Sequence, residues 1–180
     1  MNTFGKLKRF GKIGIMAMTL VVASCSDDDD NGGGGPSGNA GGFISAKVDG
    51  QQFNSLEIQG VSTVVATRTT SMVGELIMIQ GSSSDMKSVV INLLGITATG
   101  TYTISPENDG SVLAYVETAE SMSYDTSNCS GATGTITITK LDSEVIEGTF
   151  SFVGKVDESC SQSKNITDGS FRGKFMNAGM

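Results

Sequence analysis

Three cysteines, Cys25, Cys129 and Cys160, and a scatter of carboxylates are the side chains of this 180-residue chain best equipped for chemistry. Histidine is absent. That removes the usual general base near neutral pH, the usual zinc or copper ligand, and any Ser-His or Cys-His nucleophile pair. Carboxylates are left for acid–base work. Glu107, Asp109, Glu117 and Glu120 sit in or near polar, turn-like stretches, and Asp142 with Glu144 and Asp157 with Glu158 form closer pairs. A glycosidase needs two such groups about 5 to 9 Å apart across the sugar. These lie in or near turn-like segments, so a solvated acidic surface is the preferred reading and no catalytic residue is assigned. Sugar seats usually stack Trp or Tyr on the ring face. Trp is absent, and Tyr102, Tyr115 and Tyr124 read as half-buried sheet residues, with a rim position for Tyr115 and Tyr124 as the alternative.

Cys25 has a different setting from the other two thiols. Lys6, Lys8, Arg9 and Lys12 form a basic start, and Ile13 to Val22 form an apolar run of ten residues. A bilayer-spanning helix needs about 20, so residues 1–24 read as a cleaved secretory signal. Val22, Ala23 and Ser24 then precede Cys25 in the small-small-Cys order that resembles a bacterial lipoprotein signal. The thiol is the group that takes a diacylglycerol thioether, and small residues before it fit a narrow peptidase cleft. Ordinary secretory cleavage beside a chance thiol is the plainer alternative. Cleavage would lower Lys+Arg from 12 to 8 against 19 Asp+Glu, moving the net charge from −7 to −11. Each buried acyl CH₂ contributes about 0.8 kcal/mol, so two or three chains on Cys25 would hold the protein at a membrane with no helix in the bilayer.

Residues 25–42 read as a tether. Ser26, Asp27, Asp28, Asp29 and Asp30 are followed by the Gly-rich run Asn31 to Gly42. Like charges repel and Gly has nothing to bury, so a solvated spacer is the bland reading. The run Cys25 to Asp30 also resembles the acidic export signal that follows the lipidated cysteine in surface-exposed lipoproteins of the Bacteroidota, and this is preferred. The D-x-D-x-D-G spacing of an EF-hand is missing, so no metal is assigned there. Asn165-Ile166-Thr167 would be a glycosylation triplet only in a eukaryotic secretory setting, which the lipoprotein signal argues against.

From residue 43 to 180 the chain reads as one all-β domain. Short runs rich in β-branched residues recur about every ten residues between Gly, Asn, Asp and Ser. Phe43 to Gly50 alternates with Ile44, Ala46 and Val48 on one face, and Asp49-Gly50 is a hairpin turn signal. Ser88 to Gly95 is apolar on both parities and reads as a central strand covered on both sides. Met78 reads as gap-filling core. A short helix within Asp109–Ser127 is left open. The expectation is a single antiparallel β-sandwich or barrel of about nine to ten short strands.

Near the C-terminus Ile136 and Ile138 share one face of a strand, and Phe150 and Phe152 share one face of the next. Residues opposite each other in an antiparallel pair have a constant index sum, so the four share a face only at an even sum. This selects a three- or five-residue loop starting at Asp142, with sum 286 or 288. Cys129 and Cys160 then sit just outside the hairpin mouth. An exported chain that spends Cys25 on lipid has this one pair left, so a Cys129–Cys160 disulfide is expected. Closing a loop of about 32 residues contributes roughly 3–4 kcal/mol in the chain-entropy model. Free thiols or a metal pair are the alternatives; two cysteines without His make a weak metal site, and a redox pair would be spaced C-x-x-C.

Three stretches carry a family resemblance: Phe43 to Phe53, Gly134 to Lys155, and Ile166 to Phe175. With an A-x-V-D-G-x-x-F opening and G-x-F-x-F and G-x-F endings, the chain resembles a family of small Bacteroidota surface lipoproteins built on a domain of unknown function. The resemblance covers most of residues 43–176 and implies a β fold and a surface address. It brings no catalytic or ligand-binding residues.

The expected function is that of a surface-anchored binding or interaction module on the outer membrane, with an extracellular glycan, a small ligand or a protein as partner. A structural accessory of an envelope or adhesin complex is the alternative, and a carboxylate hydrolase is less favoured. The membrane is a partner through the lipid. No cofactor is expected, and the acidic balance excludes nucleic acid, whose phosphates need Lys and Arg.

Overall fold

The computed structural model describes residues 41–107, 110–156 and 160–176. Among them are thirteen strands and no helix. The first is β1 (Phe43–Val48), followed by β2 (Gln51–Asn54), β3 (Glu57–Ile58), β4 (Val61–Ser62), β5 (Val65–Ser71), β6 (Gly74–Ser82) and β7 (Lys87–Leu94). Then come β8 (Gly100–Ile104), β9 (Val112–Glu117), β10 (Met122–Asp125), β11 (Thr133–Leu141), β12 (Val145–Val156) and β13 (Ser163–Lys174). Eleven strands form one antiparallel sheet; β3 and β4 pair separately.

The sheet curls into a half-barrel because β12 is long enough to serve two partners along one edge. Its residues 146 to 153 pair with β11, which carries β8, while Lys155 and Val156 pair with β10. From β10 the order runs through β9, β7 and β6 to β5. A parallel bridge from Ala66 on β5 to Phe175 ties this arm back to the end of β13. The enclosed core takes Ile44, Phe53, Phe150, Phe152, Ile166 and Phe171 from one arm and Ile77, Ile79, Ile91, Leu93 and Leu113 from the other.

The alternation expected for Ile44, Ala46 and Val48 holds: all three are buried. The late hairpin has the even register, with Ile136 opposite Phe150 and Ile138 opposite Gly148 at sum 286, and three residues between the strands. A bulge at Thr139 shifts the sum by one near the turn. Cys129 and Cys160 are joined at the hairpin mouth, with Cα atoms 5.6 Å apart and a sequence separation of 31.

Four details differ from the sequence reading. The β-rich runs 51–58 and 61–69, each read as one short strand, break in two, giving β2 with β3 and β4 with β5, and the stretch left open for a helix forms the β9–β10 hairpin. Met78 is only half-buried, because it alternates with the buried Ile77 and Ile79 and so takes the outer face. β7 is central, but Val90, Asn92 and Leu94 on its second face are half-buried rather than covered.

Candidate functional site

At one end of the half-barrel, chain reversals bring together polar groups from distant parts of the sequence. The Asp49-Gly50 turn joins β1 to β2, with φ of 48° and 82°. Positive φ at both centres matches the right-handed twist of the flanking strands, which is why Asp-Gly suits this position. Asp49 is locked to β13: its N–H donates to the Asn165 carbonyl (2.8 Å), and its Oδ1 accepts from the Asn165 N–H (2.9 Å). The segment between β6 and β7 supplies Ser83, Ser84 and Asp85; β7 supplies Lys87; β9 supplies Tyr115 and Glu117; β13 supplies Lys164. With Gln51, Gln52 and Asn54 of β2 they line a cleft of about 460 Å³.

The charges in this cleft are balanced locally. Lys164 Nζ lies 3.3 Å from Asp49 Oδ2 and 3.6 Å from Glu117 Oε1, and 5.6 Å over the Tyr124 ring. Burial pulls its ammonium down, but the Asp49 and Glu117 carboxylates outweigh this and hold it above the usual lysine range. Lys87 Nζ lies 2.8 Å from Asp85 Oδ2. Hydrogen bonds from Lys87 and then Ser83 hold the Asp85 carboxyl below its usual range, and Asp85 in turn raises Lys87. Three carboxylates and two ammoniums therefore face the space with most charge already paired.

The floor is aromatic. Tyr115 is 2% exposed and packs edge-on to Phe53 at 6.3 Å, with Tyr124 tilted against it at 6.4 Å. Burial, then the charges of Glu117 and Asp85, push its hydroxyl well above the ordinary tyrosine range. It stays a neutral hydroxyl close to the Glu117 carboxylate. Tyr115 is thus a buried floor residue and Tyr124 is buried behind it, neither half-buried nor exposed on a rim.

The cleft strands and their hairpins lie within residues 42–173, the span that matches the model of a domain of unknown function (DUF6252). The chain belongs to the DUF6252 family. No curated protein and no solved structure matches it. The DUF6252 span takes in all the cleft residues named above and both disulfide cysteines, and it leaves residues 1–41 outside.

Among the described carboxylates singled out from the sequence, only Glu117 enters the cleft of this DUF6252 domain. Glu107, Glu120 and Glu144 are exposed elsewhere, and Asp142 caps its own turn. Asp109, Asp157 and Glu158 lie outside the described residues, as do Cys25, Ser26, Asp27, Asp28, Asp29 and Asp30. Sequence reading did not single out Asp85, Lys87 or Lys164 and took Asp49 only as a turn residue. The Asp-Gly dipeptide was the one local signal; the rest are brought together by topology.

Proposed function

We propose that this protein is a lipoprotein of the outer membrane, anchored through Cys25 and exported by the Ser26–Asp30 tag, whose β domain is a binding module with its seat in the Asp49–Glu117–Lys164 cleft. The observation that carries the reading is the cleft's position. β1 starts at Phe43 opposite Arg172 and ends at Val48 opposite Ile166, next to Asp49. The chain thus enters the domain at the end opposite the cleft. A tether on that side leaves the cleft facing away from the membrane. Its amides, hydroxyls and paired charges suit a neutral, hydroxyl-rich ligand such as a glycan segment, because no strong unpaired charge selects an ion.

Hydrolysis is less favoured. One ammonium touches both Asp49 and Glu117, so those oxygens lie within about 7 Å, inside the glycosidase range. An ammonium between two carboxylates is, however, the reverse of the apolar setting that keeps a catalytic carboxyl protonated. Strand addition in an assembly is less favoured too: the edge strands β2 and β8 are four and five residues long and carry polar side chains outward, and the longer edge strand β5 is bridged at Ala66 to Phe175 and polar from Thr67 to Ser71.

The address is tested by protease shaving of intact cells beside a Cys25→Ala variant. Loss of the domain on shaving, with release of the variant into the medium, is expected; a shielded domain would remove the surface reading. The seat is tested by screening the released chain against a glycan array, with Glu117→Gln and Lys164→Met as controls. Binding should fall at least about tenfold in both, equal to 1.4 kcal/mol. Unchanged binding would place the ligand elsewhere.

A further inference from the structure

The end of the domain opposite the cleft carries an excess of exposed apolar side chains. Met72 and Val73, at the tip of the β5–β6 hairpin, are 106% and 77% exposed. Two-residue hairpin turns ordinarily take Asn, Asp or Gly, so nothing in the turn itself calls for Met-Val. Their direction is fixed by the parallel bridge between Ala66 and Phe175: β13 runs from Lys164 at the cleft to Lys174, and β5 leaves Ala66 in the same sense. Six residues on at about 3.3 Å each, the tip projects on the order of 20 Å past that bridge along the strand.

A second feature lies at the same end. Val61 and Met176, both exposed, line a shallow apolar recess with Phe175, and Gly41 and Lys174 stand at its edge. Gly41 is the first described residue, so the recess opens where the chain comes in from Cys25. Only fifteen residues separate Cys25 from Gly41, a span of at most about 55 Å when fully extended. Of the exposed large apolar residues, Met86 is set apart from this arrangement, in the segment that borders the cleft.

We propose that this end is a membrane-contact surface, with the Met72–Val73 tip dipping into the boundary between headgroups and acyl chains. The proposal rests on lipid anchoring at Cys25. A short tether holds the apolar end at high effective concentration over the bilayer, so a contact too weak to bind alone suffices. A projecting tip of exposed apolar side chains is what a shallow interfacial contact needs. Docking of the tip would fix the domain upright, with the cleft outward.

The chain contains no tryptophan, which allows a single reporter. Full-length lipidated protein carrying Met72→Trp, and separately Met86→Trp, is reconstituted into phosphatidylcholine vesicles with and without spin-labelled lipid. The expected result is a blue-shifted emission that loses about half its intensity to the spin label for the reporter at 72, with water-like, unquenched emission at 86. If both proteins float with the vesicles while neither reporter is quenched, the contact is overturned and the anchor stands. Quenching at 86 as strong as at 72 also overturns it, because the domain would then have no upright orientation. If the protein does not float, the lipid anchor itself fails and the contact falls with it.

Discussion

Gly148 on β12 and Phe171 on β13 stand opposite each other, and the Phe171 ring fills the space a side chain at 148 would need, 2.9 Å from where its Cβ would lie. The relationship is reciprocal two residues on: Phe150 stands opposite Gly169, and its ring lies 2.7 Å from the Cβ that glycine lacks. Antiparallel strands carrying Gly-x-Phe each place every ring over the other strand's glycine. The two rings then pack together at 6.2 Å. This explains the G-x-F pattern physically, as a core device rather than a ligand site.

Gly148→Ala should therefore destabilise the domain by about 2–3 kcal/mol, as overpacking does. The added methyl would also meet the Thr137 carbonyl oxygen. Urea denaturation measures the loss. Adding Phe171→Leu should recover only part of it, since the carbonyl contact remains.

The Cys129–Cys160 bond pins the segment after β10 to the segment before β13. Neither segment belongs to a regular strand, so the bond limits what the unfolded chain can explore more than it shapes the sheet. Replacing both cysteines with Ser should cost roughly 3 kcal/mol. Unfolding with and without reductant checks this, and a wild-type midpoint that ignores reductant would contradict it.

Asp142 closes the β11–β12 turn by accepting from the N–H groups of Glu144 and Val145, both at 2.8 Å. These bonds, with Lys140 adding to them, hold its carboxyl below the usual range. A lowered folded value means that stability is present above the unfolded value of 3.8 and is lost as pH falls through the folded one. Asp142→Ala should lower the melting temperature at pH 6, and the gap to wild type should close below about pH 3.8. A gap that persists in acid would mean that the carboxylate's charge plays no part.

The fold was legible where a local rule applied. Alternation placed Ile44, Ala46 and Val48 in the core; parity alone set the even register of the late hairpin; and the expectation of export together with the cysteine count pointed to the disulfide. It was illegible where strands are shortest. β10 is four residues, Met122 to Asp125, too few to show a period. Met78 was misplaced because hydrophobicity was read without parity. The cleft was mostly hidden for a different reason. Asp49, Asp85, Glu117 and Lys164 come from four separate chain segments, and only the closing of the half-barrel makes neighbours of them.

Lys164 is the residue on which the cleft's charge balance turns. Lys164→Met keeps most of the side chain's bulk but leaves Asp49 and Glu117 facing each other without their shared ammonium. The side chain is 26% exposed, so solvent screens the pair and the loss should be on the order of 0.5–1 kcal/mol. Its sign with pH follows from the raised ammonium. Stability is present in full below the unfolded value of 10.5 and is lost as pH rises through the folded value above it. The melting temperatures of wild type and Lys164→Met should therefore differ steadily between about pH 7 and pH 10 and converge in stronger alkali. Salt should shrink the same gap, because an ion pair this exposed is screened. A difference that ignored both pH and salt would assign Lys164 to packing over Tyr124 rather than to charge.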